Sequence, residues 1–286
     1  MIVLETADAM RAWSRQCRAS GLRVGFVPTM GYLHRGHLSL VEEARRRADR
    51  VVVSVYVNPT QFAPGEDFST YPRDNHGDLD KLRGVGCDAA FVPPDLYHSR
   101  DPHERPHETF VEVTELQRPL CGVNRPTFFR GVATIVTKLF NIVEPDLALF
   151  GKKDYQQWRL ITRMVRDLHF PVEIVGMPIA READGLAMSS RNARLLPHHR
   201  RQAPAIFRAL TEASAQVRQG VVDTAPLIAR IRERIENTGG AIDYVTIVGT
   251  QDLKPLDRLD RPAVAAVAVR YGEVRLIDNL EIVPKN

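Results

Sequence analysis

The chain has 286 residues, of which 44% are hydrophobic and 26% are charged, and its formal net charge is +4. This composition is typical of a globular protein, and the length predicts two domains or one large α/β unit. No apolar run approaches the ~20 residues that a helix needs to span a bilayer, and the N-terminal segment lacks the features of a secretory signal. We therefore expect a cytoplasmic protein without a membrane partner.

The cysteines and the basic residues suggest no special chemistry. Cys17, Cys87 and Cys121 lie far apart and form no CxxC pair, which fits a reducing compartment and predicts neither a disulfide framework nor a metal site. We expect none of the three to be catalytic. The positive net charge permits a nucleic-acid partner, but the one dense basic cluster, residues 45–47, lies in a predicted helix, where a solvated face is the simpler interpretation.

The first elements of the chain alternate between helix and strand. Residues 5–20 have a helical pattern, and the apolar run over 22–27 predicts a buried strand. A second helix follows His37 and ends near Asp49. The β-branched run over 51–57 is typical of a parallel strand buried on both faces.

The segment Pro28 to His37 joins the first of these strands to the second helix and contains two glycines. At such a turn the N–H groups of the first helical residues and the helix dipole favour an anion such as phosphate. His34 and His37 should project on one side, where they could donate hydrogen bonds to a nucleotide. Two histidines at this spacing can also be ordinary partly exposed residues, and a zinc site would lack a third ligand at a diagnostic distance. Their placement between strand and helix favours the phosphate interpretation.

A long loop and another strand–helix repeat come next. Asn58 and Pro59 end the strand, and residues 60–73 predict a loop at the strand ends, where substrate contacts are common. A helix over 74–84 and a strand over 89–92 follow. The irregular span 93–107 contains histidines at positions 98, 103 and 107 that are too loosely spaced to indicate a metal site.

The pattern then repeats with a helix over 128–143 and a strand over 146–150. Gly151, Lys152, Lys153 and Asp154 lie between this strand and the next helix. A pair of surface lysines is the alternative, but the position favours phosphate contact. The whole alternation predicts an α/β fold with a right-handed, parallel, Rossmann-like sheet.

The C-terminal third of the chain has a different character. Residues 189–192 place two hydroxyls, one guanidinium and one amide side by side; this cluster suits a triphosphate, and it equally suits a helix cap. Helices over 198–219 and 224–237 and strands near 244–248, 263–269 and 273–277 form a smaller α+β part. We place the boundary near 176, with an N-terminal Rossmann-like domain over 1–176 and a C-terminal domain over 177–286.

Five motifs together resemble those of the pantoate–β-alanine ligase (pantothenate synthetase) family of the HIGH-type nucleotidyltransferase superfamily. In chain order they are PTMGYLHRGHLSLV, YVNPTQF, GEDFSTYPR, FRGVATIVTKLFNIVEPDLALFGKKDYQQ and READGLAMSSRN. The HxGH motif alone would indicate only the superfamily. The later motifs are specific to the ligase.

The resemblance implies a two-step reaction. The carboxylate of (R)-pantoate attacks the α-phosphorus of Mg²⁺-ATP to give pantoyl adenylate and pyrophosphate, and the amine of β-alanine then displaces AMP to give pantothenate. ATP with Mg²⁺ would be a substrate complex, with no tightly bound cofactor and no metal site in the protein. The resemblance also implies a homodimer through the N-terminal domain, and a C-terminal domain that closes over the ATP site.

The resemblance also implies the roles of individual residues. His34, His37 and Lys153 would be catalytic, with His37 the proton donor, and Gln61 and Gln157 would hold pantoate, with Gln61 also near β-alanine. Lys152 stands where glutamate or glutamine is frequent in the family, so a second lysine could reach phosphate. The residues that would surround ATP are Met30, Gly31, Tyr32, Leu33, His34, Arg35, Gly36, His37, Gly151, Lys152, Lys153, Asp154, Ala180, Met188, Ser189, Ser190 and Arg191.

Two other functions are compatible with parts of the sequence. One is a nucleotidyltransferase that stops at nucleotidyl transfer; the two glutamines, in place of a basic pocket for a phosphorylated substrate, disfavour it. The other is a nucleic-acid-binding protein, disfavoured because aromatic residues make up only 7% of the chain and no interleaved aromatic and basic patch is visible. We expect small-molecule substrates and no nucleic-acid partner.

Overall fold

The computed structural model describes residues 1–63, 65–66, 68–98 and 107–284. Most of the irregular span predicted over 93–107, including His103, lies outside these residues. The chain forms two compact units. The first contains Met1–Gln117, Arg125–Lys152 and Gln157–Met177, and the second contains Arg118–Asn124, Lys153–Gln156 and Pro178–Asn286. The closing of a C-terminal domain over an ATP site stays a prediction.

The first unit is built on a parallel sheet of six strands, β1 to β6, in the order β1-β4-β3-β2-β5-β6. The strands are Ile2–Leu4, Val24–Thr29, Arg50–Val55, Ala89–Phe91, Leu147–Gly151 and Glu173–Met177. The helices α1 to α6, numbered along this part of the chain, are Ala7–Ala19, Arg35–Arg47, Asn75–Gly84, Cys121–Asn124, Phe128–Val143 and Tyr155–Asp167. Of these, α4 and the first two residues of α6 belong to the second unit. The strands that follow β2 in the chain lie on both sides of it, with β3 and β4 on one side and β5 and β6 on the other.

The central strands are apolar because both of their faces are covered by helices. Val51, Val52 and Val53 of β3 are at most 1% exposed. On β2, Gly25 brings the strand close to α2, since a Cβ at this position would lie 3.1 Å from the Cβ of Ala48. Next to it, Phe26 packs edge-to-face on Phe140 of α5, with ring centroids 6.4 Å apart. Strand β2 pairs with β3 up to its carboxyl end, at Thr29 and Val55, whereas its pairing with β5 is limited to Gly25 and Phe26.

The second unit is an antiparallel sheet of three strands covered by helices. Its strands, β7 to β9, are Ala241–Gly249, Ala263–Tyr271 and Val274–Ile282, in that order across the sheet. Its helices, α7 to α9, are Pro197–Gln202, Ala205–Arg218 and Thr224–Glu236. Leu210 of α8 and Ile231 of α9 are fully buried in one core with Val267 of β8.

The predicted fold class, a parallel Rossmann-like sheet followed by a smaller α+β part, is confirmed. Three details differ from the prediction. Strand β1 was not predicted, the helix expected over 198–219 breaks at Ala203 and Pro204 into α7 and α8, and the C-terminal strands are nine residues long each. Among the described residues, no helix combines the length and apolarity needed to cross a membrane.

Candidate functional site

Three predicted site segments follow the carboxyl ends of three neighbouring strands in the first unit. The histidine turn, defined as residues 28–37, includes the last two residues of β2 and the first three of α2; the 3₁₀ turn Pro59–Gln61 follows β3; Gly151 and Lys152 end β5 and begin the next turn. Strands β2 and β5 are the neighbours between which the strand order reverses. In open α/β sheets, ligands bind in the crevice at this switch point.

The histidine turn has an unusual backbone conformation before the histidines. Gly31 and Tyr32 both have positive φ angles, +80° and +51°, a region that non-glycine residues rarely occupy. The buried Asp78 of α3 accepts hydrogen bonds from the backbone N–H groups of Tyr32 and Leu33, at 2.7 and 2.6 Å. A side chain from another element therefore holds this part of the turn.

His34 and His37 lie together, with ring centroids 4.1 Å apart. His34 caps helix α2, because its Nδ1 accepts a hydrogen bond from Gly36 N at 3.1 Å, and the Nδ1 of His37 accepts one from His34 N at 3.4 Å. An imidazole whose Nδ1 accepts a hydrogen bond carries its proton on Nε2 when neutral. Both rings therefore have Nε2 as the donor nitrogen, as contact with an anion requires.

The other residues of the histidine turn differ in exposure. Leu33 and Gly31 are buried, whereas Met30, Tyr32 and Gly36 are half-buried. The exposed Arg35 pairs with Glu42 through two contacts, at 2.5 and 2.9 Å. This pairing ties the Arg35 guanidinium to its own helix, so we expect its backbone to be the part that faces a ligand.

Gln61 is held in a polar network behind the 3₁₀ turn. It is 7% exposed, and its Oε1 accepts a hydrogen bond from Asn58 Nδ2 at 2.9 Å. That bond uses the carbonyl oxygen of the amide, and no described residue accepts a hydrogen bond from its two N–H donors, which could therefore bind a ligand. Arg125 donates to Gln61 O at 3.0 Å and forms a two-point ion pair with Glu66.

Helix α5 approaches this turn closely at Gly131. Its carbonyl oxygen accepts a second hydrogen bond from Asn58 Nδ2, at 3.1 Å, and a Cβ at this position would clash with the carbonyl group of Thr60. The glycine lets the helix backbone touch the turn that carries Gln61. The position of Gln61 is thus set by the helix as well as by β3.

Lys152, which follows β5, and Gln157, on α6, have different surroundings in the first unit. Lys152 is half-buried, and its Nζ lies 4.8 Å from the centroid of the Trp158 ring, a distance at which a cation is attracted by the ring. Its contact with phosphate stays a prediction. Gln157, on α6, is half-buried, and no described residue hydrogen-bonds to its side chain.

Lys153 and Asp154 belong to the second unit. The Nζ of Lys153 lies 3.8 Å from an Asp154 carboxylate oxygen, and the carbonyl oxygen of Lys153 accepts a hydrogen bond from Asn279 Nδ2 at 2.9 Å. One residue further, Tyr155 donates to Glu281 at 3.2 Å. Strand β9 therefore fixes the backbone that carries Lys153.

The remaining predicted ATP residues lie in one loop of the second unit. Met188 N donates to Ala180 O at 2.9 Å, and Arg181 pairs with Ala187 in an antiparallel bridge, so residues 180–188 form a hairpin. The donor cluster that follows serves partly as a cap: Ser189 Oγ accepts a hydrogen bond from Arg191 N at 3.2 Å, and Asn192 Nδ2 donates to Ala187 O at 3.0 Å. The cap interpretation holds for Ser189, and Ser190 and Arg191 are half-buried beside it.

A buried ion pair anchors this hairpin to β9. Arg181 contacts both oxygens of Asp278, at 2.7 and 2.9 Å, and its guanidinium lies 3.7 Å from the centroid of the Phe207 ring. Asp278 is 4% exposed. Burial raises the pKa of Asp278, because desolvation of the carboxylate outweighs the opposing effect of Arg181.

Asp78, Asn58 and Asp278 support the predicted residues, and the sequence interpretation missed all three. Asp78 had a detectable signal: it lies four residues before the fully buried Leu82 on helix α3, so a charged residue falls on the apolar face of a predicted helix. Asp278 gives no such signal, because β9 also contains Arg275, Asn279 and Glu281. No local pattern shows which segment such a carboxylate binds.

The cysteines are buried, and burial raises the pKa of the Cys87 thiol to about 12. Cys121 lies in the second unit, and its Sγ is 3.4 Å from Tyr244 Oη and 3.6 Å from Arg275 Nη2. In the part of the chain that the structure describes, no group of three or more His, Cys, Asp or Glu side chains is arranged to hold a metal ion.

A parallel sheet whose histidine-bearing strand-to-helix turn lies at the switch point defines the class of Rossmann-like α/β proteins that bind ligands at the carboxyl ends of their strands. Comparison with known families gives a more specific result. The model of the family described as Pantoate-beta-alanine ligase matches residues 2–281. The chain belongs to this family, as the motifs predicted.

Individual relatives are similar to this protein over nearly the whole chain. The Pantoate--beta-alanine ligase of Oryza sativa subsp. japonica is 51% identical over 98% of this chain and 96% of its own length. The crystal structure of pantothenate synthetase from Thermus thermophilus is 45% identical and has a TM-score of 0.91, over 99% of this chain and 100% of that one. The ligase from Francisella tularensis, solved with Beta-gamma ATP and Beta-alanine, is 31% identical with a TM-score of 0.80, over 98% and 97% of the two chains.

Proposed function

We propose that the protein condenses (R)-pantoate with β-alanine to form pantothenate, using ATP and passing through pantoyl adenylate. One observation supports the proposal: the rings of His34 and His37, whose Nδ1 atoms both accept backbone hydrogen bonds, lie together at the end of β2, and Gln61, whose Oε1 is bound by Asn58, lies at the end of the neighbouring β3. The first pair suits phosphate, and the amide suits a hydroxylated carboxylic acid. Family membership supports the same reaction.

In the first step, a pantoate carboxylate oxygen attacks the α-phosphorus of ATP, and the bond from this phosphorus to the bridging oxygen of pyrophosphate breaks. The Nε2–H groups of His34 and His37, with the ammonium of Lys153, stabilise the negative charge that develops on the phosphates. Donors that are already fixed, as the two Nδ1 hydrogen bonds fix these rings, need little reorganisation as the charge moves. Mg²⁺ enters with ATP as a substrate complex.

In the second step, the neutral amine nitrogen of β-alanine attacks the carbonyl carbon of pantoyl adenylate, AMP leaves with the electron pair of the broken C–O bond, and the nitrogen releases a proton to solvent as it becomes the amide. This step needs no protein nucleophile, because the phosphate is already a good leaving group. Gln61 and Gln157 hold the pantoyl hydroxyls through neutral amides, which both donate and accept without burying a charge.

The other predicted ATP contacts belong to the same proposal. The backbone of the histidine turn, Gly151 to Asp154, Ala180 and residues 188–191 would surround the nucleotide. We propose further that the protein works in the cytoplasm as a homodimer, which sedimentation equilibrium would test.

Isotope exchange tests the central step. Because adenylation is complete before the amine is needed, (R)-pantoate alone should support the exchange of radiolabelled pyrophosphate into ATP. Addition of β-alanine should then yield pantothenate and AMP. The enantiomer (S)-pantoate and a reaction without acid serve as controls. Formation of ADP would indicate an acyl phosphate and refute the adenylate, and failure of exchange in protein that binds both substrates would refute the two-step scheme.

A further inference from the structure

Asp78 on helix α3 is the only side chain among the described residues that binds the backbone of Tyr32 and Leu33. We infer that its carboxylate is a positioning residue, which holds the histidine turn in the conformation in which His34 and His37 can donate to phosphate. The inference rests on the proposed function for the role of the two histidines. It concerns a residue that would touch neither substrate nor nucleotide.

The carboxylate of Asp78 is fully buried, and each of its oxygens has its own partner in the turn. Oδ2 accepts from Tyr32 N at 2.7 Å, and Oδ1 accepts from Leu33 N at 2.6 Å. The Nζ of Lys81, one turn along α3, lies 3.7 Å from Oδ1. Charged acceptors form shorter and stronger hydrogen bonds than neutral ones, so these two bonds are a firm connection between α3 and the turn.

Backbone N–H groups of the turn form hydrogen bonds with side chains. Thr29 Oγ1 accepts from Gly31 N at 3.1 Å, so three successive N–H groups, those of residues 31 to 33, bind side-chain oxygens. Tyr32, with a φ of +51°, is in a left-handed conformation that is unfavourable for a non-glycine residue. Such strain persists only where surrounding contacts over-determine the conformation, and the two bonds from Asp78 supply those contacts.

The connection to the histidines is direct. Leu33, whose N–H binds Asp78, is followed by His34, whose own N–H donates to Nδ1 of His37. A change in the backbone at Leu33 therefore moves the His34 ring and breaks the bond that orients the His37 ring. Both effects would misdirect Nε2, although neither histidine is altered.

The test variant is Asp78→Asn, which is nearly isosteric but replaces one acceptor oxygen with an NH₂ group that faces a backbone N–H. The matched control is Asp146→Asn, since Asp146 Oδ2 accepts from Val24 N at 2.6 Å, at the opposite end of the same strand β2. We expect Asp78→Asn to lower the single-turnover rate of adenylate formation by on the order of 10- to 100-fold, the effect of displacing a catalytic group by about 1 Å. Pantoate affinity should be kept, and Asp146→Asn should be close to the parent.

The decisive measurement is the same substitution in a His34→Ala, His37→Ala background. If Asp78 acts through the histidines, Asp78→Asn should change the residual rate there by less than about twofold, because residues that act as one unit are strongly non-additive. An effect of the same size in both backgrounds, or an equal effect of Asp146→Asn, would overturn the inference. If Asp78→Asn does not fold, Asp78→Glu, which keeps both oxygens, takes its place. Its effect on the rate should likewise disappear in the His34→Ala, His37→Ala background.

A second readout separates this inference from the proposed function. The ¹⁵N chemical shifts of the imidazoles report which ring nitrogen carries the proton, with no substrate present. The parent should show His34 and His37 protonated on Nε2, and Asp78→Asn should change both sets of shifts while Asp146→Asn leaves them unaltered. Unchanged shifts in folded Asp78→Asn would refute the positioning role even if the ligase activity is established. Changed shifts in a protein without pantoate-dependent exchange would refute the function alone.

Discussion

The histidine turn of the first unit and the hairpin 180–188 of the second unit are both anchored by a buried aspartate, but the two anchors differ in kind. Asp78 accepts hydrogen bonds from neutral backbone N–H groups. Asp278 faces the guanidinium of Arg181 and accepts one backbone bond, from Asn279 N at 2.7 Å. The hydrogen bonds of Asp78 stabilise one backbone conformation of the turn. The anchor at Asp278 instead depends on the pairing of two opposite charges. The two regions should therefore respond differently to mutation.

The largest effect should come from breaking the ion pair of the second unit. Asp278→Ala leaves the guanidinium of Arg181 without its carboxylate in a mostly buried site, and we expect the free energy of unfolding to fall by about 3–5 kcal/mol. The control is the double variant Arg181→Met with Asp278→Leu, which removes both charges and should lose clearly less. Urea denaturation measures both. A double variant as unstable as the single one would show that packing, and not the unpaired charge, dominates.

Removal of one proposed phosphate donor from each unit should affect chemistry and not folding. We expect His37→Ala and Lys153→Ala each to lower the rate of adenylate formation by about 10²-fold or more, the scale for one preorganised transition-state donor. Exposed residues of the same types, His76→Ala and Lys254→Ala, serve as controls and should be near the parent. Single-turnover kinetics on folded protein measures the rate of adenylate formation in each variant. A loss of only a few fold would remove that residue from the proposed mechanism.

Three glutamines sharpen the distinction between substrate contacts and structural contacts. Gln61→Ala and Gln157→Ala should each weaken pantoate binding by roughly 1–3 kcal/mol, because a buried polar group of the substrate loses its partner. Gln156 accepts from Cys121 N at 3.1 Å and donates to Pro119 O at 2.6 Å in the second unit. Gln156→Ala should therefore lower stability without this loss of affinity. Calorimetric titration of the three variants with pantoate and with ATP measures both affinities. If Gln61→Ala and Gln157→Ala lost affinity for ATP alone, these glutamines would be assigned to the nucleotide site.

The smallest effect concerns the pH dependence of the Asp278 anchor. Because its pKa is raised in the folded protein, the folded state holds the proton more tightly than the unfolded state, where the pKa is about 3.9. The contribution of this group to stability therefore falls as the pH rises from that value through the raised folded pKa. Relative to Asp278→Asn, which cannot titrate there, the parent should lose stability across this window. Urea denaturation at a series of pH values measures the difference; a relative gain would mean that Arg181 outweighs burial.

Local sequence patterns predicted most of the first unit. The apolar spacing over 128–143 gave helix α5 with its observed bounds, and the valines of β3 indicated a strand buried on both faces. The histidines were predicted to project on one side, and their rings are 4.1 Å apart. These features depend on residues that are close in sequence, which is why periodicity and turn chemistry reveal them.

The missed features depend on distant residues or on very short elements. Strand β1 has three residues, two of them exposed, so it has no periodic pattern to detect. The break between α7 and α8 is an exception, because Pro204, a proline inside an otherwise helical pattern, is a local signal of it. The bonds from Asp78 to Leu33 and from Asp278 to Arg181 join residues 45 and 97 positions apart, and nothing in a single sequence states which partners such carboxylates choose.

The contact between Gly131 and the turn of Thr60 has a consequence for genetics. Any side chain at position 131 would push against the carbonyl group of Thr60 and shift the turn that carries Gln61. We therefore expect Gly131→Ala to behave in a growth screen as a substrate-binding allele, one that excess pantoate partly suppresses, although residue 131 would touch no substrate. A Gly131→Ala strain that pantoate does not help, with folded enzyme of normal pantoate affinity, would contradict this. Such an allele would map to the interior of a helix, far in sequence from every residue proposed to bind the acid.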